Sequence, residues 1–492
     1  MSKNNVSAAL ITLGIFGITT AILVDIIKSG ALKIQAAQIL IIELALTAIL
    51  LGLLTRKIFE NHGAETNLLS RLVKWLTGLP MITWVMVGYL IAYLAFFIIP
   101  MFFNTPPRIQ YFNKYLPDGY PIGGDLLFLT QLIQQWFTTN QSPFYIQFYP
   151  PFTYIFLSPF LLINDHHLLY KLVTITTIAC FILSSLIIPL WTSKKWDKSL
   201  IFIFFITGLF SYGMQFELER GQVNVFAFLF CMSAIYIYHY HHSFRYYAYL
   251  LFSIAIQLKI YPAIFIVMFI KDWRDWKGNL RKIIAIGLFN FSLLFIAGVQ
   301  PFLEFIKSAT TQLRTPGWSW TGNHSIKAFV SEFAENNGLG LVKADTVEMI
   351  KQHIGLISNI FLVAFILFFL SAVLHAYRRN QQEFDAVLFL TCTIGALIIP
   401  VSNDYTLTIL AAPMALALTS ISNSSYGRNK FIATLLLIIT TTAYSITLYP
   451  FKYKTLLLQN SFPALFTILI TVTILNYIIT ITGKNTAENP GN

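Results

Sequence analysis

The chain is short of charge: only 11% of its 492 residues are Asp, Glu, Lys or Arg, while 56% are hydrophobic. Soluble domains carry about 25% charged residues, so this sequence has too little polar surface to cover a globule in water. It is also short of cysteine. Cys180, Cys231 and Cys392 all sit inside apolar runs, where they read as small core residues, and they suggest no disulfide framework. No P-loop, dinucleotide fingerprint or DxD-type pair between soluble strands occurs, which argues against nucleotide-sugar or ATP chemistry on a cytoplasmic domain. The alternating ~10-residue segments of a membrane barrel are missing too.

What the chain has in abundance is apolar runs approaching the ~20 residues that cross a bilayer as a helix. They are Val6–Ile27, Ile34–Leu54, Leu79–Phe103, Leu168–Leu190, Leu200–Tyr212, Gln222–Tyr240, Ile283–Phe302, Ile354–Tyr377, Phe384–Pro400, Tyr405–Ser420, Phe431–Leu448 and Ser461–Ile481. The first is too long for a signal-peptide core and is expected to be retained as a span. The net charge of +12 would suit a nucleic-acid binder, but the cations cluster at the ends of the apolar runs. Membrane topology explains that distribution, and nucleic acid is not an expected partner. Arg56, Lys57, Arg71 and Lys74 mark the second linker as cytoplasmic, which places both termini inside and residues 104–148 outside. Residues 303–352 form a second external loop; Lys452 and Lys454 are the main exception to the rule.

Two segments break simple alternation. Tyr149–Ile163 is short and Pro-punctuated, and adds no net crossing if Lys194 and Lys195 are inside. Tyr246–Ile270 carries Arg245 on one flank and Lys271, Arg274, Lys277, Arg281 and Lys282 on the other. Both flanks belong to the cytoplasm, so the segment is expected to enter and return as a hairpin. The break falls at Lys259-Ile260-Tyr261-Pro262, because proline interrupts the helix ladder. The first arm rises ~20 Å, and irregular backbone at that depth needs a cavity lined by protein or filled by water.

Candidate functional residues gather on the outer side. Asp125 follows Gly123-Gly124 and opens an amphipathic stretch. Thr130, Gln131, Gln134, Gln135 and Thr138 form its polar stripe, and Leu126, Leu129, Leu132, Ile133, Trp136 and Phe137 its apolar face. That is the pattern of a helix lying in the membrane interface. Asp125 is the cap of that helix, a general base held against a lipid-borne substrate, or both. In Glu217-Leu218-Glu219-Arg220-Gly221-Gln222-Val223-Asn224, the amides of Gln222 and Asn224 sit just inside an apolar run, where they need partners. They line a polar pocket, or they belong to a solvated turn with an Arg–Glu pair and an interhelical amide contact. Lys259 is an intramembrane cation, by default a substrate or ion site. It suits a phosphate as a point charge, the alternative being a snorkelling lysine.

Gly317-Trp318-Ser319-Trp320-Thr321-Gly322-Asn323-His324-Ser325 offers tryptophans for anchoring or sugar stacking, and a histidine for proton transfer or phosphate contact. Ser402-Asn403-Asp404-Tyr405 is either a further contribution to the pocket or a helix cap. His239, His241 and His242 lie at a tyrosine-rich helix end without nearby carboxylate or cysteine ligands, which fits an interfacial belt better than a metal site.

The order Gly-Gly-Asp125, amphipathic helix, Ser142-Pro143-x-Tyr145, Tyr149-Pro150-Pro151, Pro159, Arg220-Gly221-Gln222-Val223-Asn224, Lys259-Ile260-Tyr261-Pro262, Asn323-His324-Ser325 resembles the C-type glycosyltransferase superfamily. Within it the chain most resembles family 87, the polyprenyl-phosphate-mannose-dependent α-mannosyltransferases, from about Gly123 to Asn403. It departs from the pattern in carrying His324 where relatives often have glutamine, and in two spans with a basic linker ahead of the usual first helix.

The resemblance implies an all-α polytopic GT-C-like bundle of about twelve spanning helices, with short re-entrant and interfacial helices. Residues 1–78 would form an N-terminal two-helix module, and 79–492 the transferase domain. The implied activity is transfer of a hexose from a polyprenyl-phosphate donor to a lipid or glycan hydroxyl on the extracytoplasmic side, with no metal or other cofactor. Asp125 would be the base. Lys259, Arg220 and His324 would meet the donor phosphate, and Gln222, Asn224, Tyr261, Asn323, Glu219, Asn403 and Tyr149 would line the substrate site. A transporter or flippase for lipid-linked saccharides, or a glycan polymerase or ligase using lipid-diphosphate donors, are the rival readings.

Overall fold

The computed structural model describes residues 123–139, 149–193, 198–209, 212–314, 325–335, 344–379, 384–397 and 402–423. The expected N-terminal module, the span Leu79–Phe103 and the last two spans lie outside the described residues. Among those described, every regular element is helical. In chain order they are α1 (Gly124–Thr139), α2 (Pro151–Leu157), α3 (His166–Thr192), α4 (Ser199–Leu209), α5 (Tyr212–Arg220), α6 (Asn224–Tyr240) and α7 (Arg245–Leu258). After them come α8 (Trp276–Leu294), α9 (Val299–Arg314), α10 (Ile326–Glu335), α11 (Ala344–Gln352), α12 (Ile354–Arg379), α13 (Ala386–Leu397) and α14 (Ala411–Asn423). Short 3₁₀ segments, Ser158–Leu162, Tyr261–Phe269 and Asp404–Leu410, interrupt the series.

Two helices, α3 and α12, are long and apolar enough to cross a bilayer. On α12 the side chains of Leu356, Ile360, Val363, Leu367, Leu370 and Leu374 recur every three or four residues and are all exposed. A continuous apolar stripe turned outward has no place in water and marks a lipid-facing surface. This is a membrane protein. The expected span Ile283–Phe302 is not one helix: α8 ends at Leu294, the chain passes Gly298 at φ +99°, and α9 leaves at 102° to α8. The expected span Leu200–Tyr212 is helical over its described residues 200–209, and the described helix that follows begins at Tyr212. Among the described residues, then, two helices, or three if the bent pair α8–α9 is one span, are long and apolar enough to cross a bilayer, fewer than the apolar runs in the same stretch. Hydropathy averages across a break that one glycine makes, and it does not separate a lipid-facing helix from a core helix. In α13, for example, every residue but Val387 is buried.

The amphipathic reading of α1 holds with two exchanges. Leu126, Leu129, Leu132 and Ile133 are buried, as expected. Thr130, expected on the polar stripe, is also buried and returns its hydroxyl to the carbonyls of Leu126 and Leu127 at 3.0 and 2.9 Å. Phe137, expected on the apolar face, is exposed. The buried face packs on protein, joining Tyr154, Leu157, Val223 and Phe305 in one core cluster. The stretch expected as external loop 303–352 contains the end of α9 and the helices α10 and α11.

The hairpin expected at Tyr246–Ile270 forms around α6. Helix α7 runs back along α6 and ends at Lys259, whose φ of −150° and ψ of 136° are extended. Pro262, in the first turn of the following 3₁₀ segment, stops any continuation of the helical ladder. The chain then returns: the Phe269 ring stacks on Phe252 at 4.6 Å and on Tyr238 at 5.0 Å. Lys271 Nζ donates to the His239 carbonyl at 2.8 Å. Both ends of the segment therefore lie at the C-terminal end of α6, and its tip lies at the N-terminal end. Cysteines replacing Tyr246 and Lys277, both exposed, should be labelled by an impermeant thiol reagent from one and the same side of the membrane. Labelling from opposite sides would contradict the hairpin.

Candidate active site

The N-terminal end of α6 is where three distant turns meet, and two glycines let them do so. Gly123 and Gly221 have φ of +70° and +66°, a region that side-chain-bearing residues rarely enter. A Cβ at Gly221 would stand 2.8 Å from Leu126 Cβ and 3.6 Å from the Gly123 Cα, so the two turns touch almost backbone to backbone. Tyr170 closes the other side, with its ring against Gly123 and its hydroxyl donating to the Leu218 carbonyl at 3.0 Å.

This contact puts Asp125, in the first turn of α1, against the turn that opens α6. Its carboxylate does not cap its own helix. One oxygen meets Arg220 Nη1 at 3.4 Å and the other accepts from Gln222 Nε2 at 2.5 Å. The Asp125 side chain keeps 32% of its surface exposed, against 13% for Arg220, so the carboxylate is open to an incoming group.

Gln222 then relays the contact. Its Oε1 accepts from the Tyr149 hydroxyl at 3.1 Å and from Lys259 Nζ at 3.2 Å. Lys259 also donates to the Tyr149 oxygen at 2.9 Å, and its ammonium lies 4.4 Å from the Tyr149 ring centroid and 5.4 Å from that of Tyr405. Of three ammonium donors, two are taken by neutral oxygens and one is left for a ligand. Asn403 donates from its amide nitrogen to the Tyr405 hydroxyl, while its buried Oδ1 has no partner. Lys259 is thus held by aromatic faces and an amide, and is not snorkelling away from the protein.

One residue of the site escapes sequence reasoning. Glu217 is fully buried; it accepts from Asn224 Nδ2 at 2.9 Å and from the Val225 backbone N–H at 3.0 Å. The N-cap of α6 is Val223, whose side chain cannot accept a hydrogen bond. A carboxylate arriving from the preceding helix does that work, and a valine at the cap beside an upstream glutamate was the available signal. Burial pushes Glu217 up to about 7, against the opposing pull of the hydrogen bonds from Asn224 and Val225 and of the Lys259 charge.

Of the residues expected at the site, Asp125, Tyr149, Arg220, Gln222 and Lys259 are in one connected network, and Asn403 joins through Tyr405. Asn224 and Tyr261 form a deeper layer: Asn224 faces Glu217, and its carbonyl accepts from the Tyr261 hydroxyl at 3.2 Å. Asn323 and His324 lie outside the described residues, and of Glu219 only the backbone, in α5, is described. Among the described residues no group of three or more His, Cys, Asp or Glu gathers as a metal site.

Sequence comparison at the level of families matches residues 145–400, more than half of the chain, to glycosyltransferase family 87. The chain belongs to that family. It is a membrane glycosyltransferase (EC 2.4), and the network at the head of α6 is the candidate active site of this family 87 protein. Family membership sets the transporter reading aside. Searches of curated proteins and of solved structures returned no match.

The raised Glu217 gives a pH signature with a definite sign. The folded protein holds this proton more tightly than the unfolded chain, so stability is fully present below the unfolded value near 4.5 and is lost as pH rises to about 7. The melting temperature in detergent, taken relative to that of Glu217→Gln, should fall across this interval and level off above it. A difference independent of pH would remove the buried carboxylic acid.

Proposed function

We propose that the protein transfers a hexose, mannose being the expected sugar, from a polyprenyl-phosphate donor to a hydroxyl of a lipid or glycan acceptor on the outer side of the membrane. The carrying observation is the amide of Gln222, which binds Asp125 through its nitrogen and Lys259 through its oxygen. An acceptor for a proton and a cation for a phosphate are thereby held one side chain apart, the separation that a direct displacement asks for.

In this reading Asp125 takes the proton from the acceptor hydroxyl as its oxygen attacks the anomeric carbon from the face opposite the phosphate. The bond between the anomeric carbon and the phosphate oxygen breaks, configuration inverts, and polyprenyl phosphate leaves with the electron pair. Lys259 and Arg220 receive the growing charge, with His324 as a third contributor. A monoester phosphate met by two cations asks for no metal in this proposal. Positioned proton transfer contributes ~10²–10⁴-fold, and preorganised donors add several kcal/mol, about 3 for a single one. Asn403 Oδ1 is the spare acceptor for a sugar or acceptor hydroxyl.

The deciding experiment incubates the purified protein with a panel of polyprenyl-phosphate hexoses and an acceptor extract and follows donor consumption. Consumption of lipid-diphosphate sugars alone would replace the proposal with the polymerase or ligase reading. Asp125→Asn retains an acceptor for Gln222 and gives up only a part-exposed ion pair, worth at most ~1 kcal/mol of stability. It should fold and lose at least ~10²-fold in turnover; near-normal turnover takes Asp125 out of the chemistry.

Lys259→Met keeps the apolar stem and deletes the cation. Donor binding should weaken roughly tenfold or more, the equivalent of one charge-assisted contact of ~1.5–3 kcal/mol. Lys259→Arg should recover only part of that, because a flat fork does not reproduce a point charge between two rings. Donor affinity unchanged in both variants would show that the lysine has no phosphate to hold.

A further inference from the structure

The opposite end of α6 carries a second polar cluster that the transfer reaction does not use. Helix α6 has 17 residues and so spans ~25 Å, close to the ~30 Å of a bilayer core. If the Asp125 network sits at one membrane surface, the Tyr238–His241 end of α6 sits at the other. Exposed aromatic side chains ring that end: Trp191, Phe244, Tyr246, Tyr247 and Trp276. Aromatic residues of this kind mark the headgroup level of a membrane.

Inside that ring, three cations converge on one buried ring. The guanidinium of Arg245 lies 5.8 Å from the Tyr238 centroid, Lys271 Nζ 5.8 Å and Lys282 Nζ 5.6 Å. They come from three separate elements: the start of α7, the return of the hairpin, and the first half of α8. Each is part-buried, and each has a neutral acceptor: Arg245 meets His242 Nδ1 at 2.7 Å, Lys271 the His239 carbonyl at 2.8 Å, and Lys282 the Asn279 Oδ1 at 3.0 Å. Among the described residues none of the three forms an ion pair.

The carboxylates of Asp275 and Asp272 act on Lys282 from a distance, less than burial and the Arg245 charge do, and their hydrogen bonds are local. Asp272 accepts from the Arg274 backbone N–H at 2.9 Å, and Asp275 caps α8 through the Gly278 N–H at 2.9 Å. Burial lowers the pKa of Lys271, and the charges of Arg245 and Lys282 lower it further, so the three cations repel one another as they stand. An anion between them would turn that repulsion into attraction and use the ammonium donors left over.

We propose that Arg245, Lys271 and Lys282 form a binding site for the phosphate of an anionic phospholipid, at the membrane surface opposite the candidate active site. The source is a lipid and not a free anion because the cluster opens within an aromatic belt, where a phosphate arrives attached to acyl chains. The site rests on the membrane setting and is independent of the identity of donor and acceptor.

The test uses the full-length protein purified in detergent and titrated with phosphatidylglycerol, phosphatidylcholine of the same chains, or inorganic phosphate. Bound lipid is counted by native mass spectrometry, and the melting temperature is followed alongside. Phosphatidylglycerol should be retained and should raise the melting temperature, and phosphatidylcholine should do neither. Lys282→Gln and Lys271→Gln should each weaken phosphatidylglycerol binding about fivefold, the effect of one basic residue at an anionic surface. Lys277→Gln, which removes an exposed lysine from the same helix, should leave it unchanged. Should Lys271→Gln fail to fold, Lys282→Gln decides alone, since Lys282 bonds only to its own helix. Equal binding by wild type and Lys282→Gln overturns the site. An equal stabilisation by inorganic phosphate, cancelled by the same variant, overturns its assignment to a lipid.

Discussion

The contact between Gly123 and Gly221 is the constraint on which the candidate active site depends. Two turns far apart in the sequence approach until almost no side-chain atom separates them, and both glycines are in a backbone region that a Cβ would strain. Everything that follows is a consequence of that distance. Asp125 meets Gln222 because their turns touch, and Gln222 meets Lys259 because the hairpin brings α7 to its break at the same height along α6. A larger residue at either glycine would move a whole turn, not one side chain.

The site is also a problem in burying charge, and its solution is graded by depth. At the rim, Asp125 stays part-exposed and is paired with Arg220, where solvent still screens the charges. One layer in, Lys259 is surrounded by a phenol oxygen, an amide oxygen and two aromatic faces, which satisfy a cation without an adjacent carboxylate. Deeper still, Glu217 is out of water and is pushed toward its neutral form while capping α6. The same helix therefore begins on a buried acid and carries a connector amide just before it. At its far end it meets three cations that form no ion pair among the described residues, and a belt of aromatics. Polar clusters at both ends with apolar packing between them are what a membrane of this thickness demands of its central helix.

Membrane character, the helical class, the family and most residues of the candidate site were legible in the sequence itself. Apolar excess and basic flanks follow from the solvent, and the solvent acts on every residue independently, so composition and pattern carry that information directly. The hairpin was legible for the same reason: Arg245 and the basic run from Lys271 to Lys282 both demand one side, and Pro262 marks where the chain turns. Gln222 and Lys259 stood out because a polar group inside an apolar run has few structural excuses, and Asp125 because it is a lone carboxylate at the head of an amphipathic helix.

What only the tertiary structure decided is who meets whom. Arg220 pairs with Asp125, 95 positions away, a partner that no local pattern names. Glu217 reads as one more charge in a solvated turn until the packing buries it beneath Val223 and Asn224. The span expected through Phe302 breaks at Gly298, and Thr130 and Phe137 trade faces on α1. Pattern assigns each residue a preference for water, lipid or core, because that preference is a property of one side chain. Pairing, breaks and depth depend on which other surfaces arrive, and those surfaces exist only once the chain has folded.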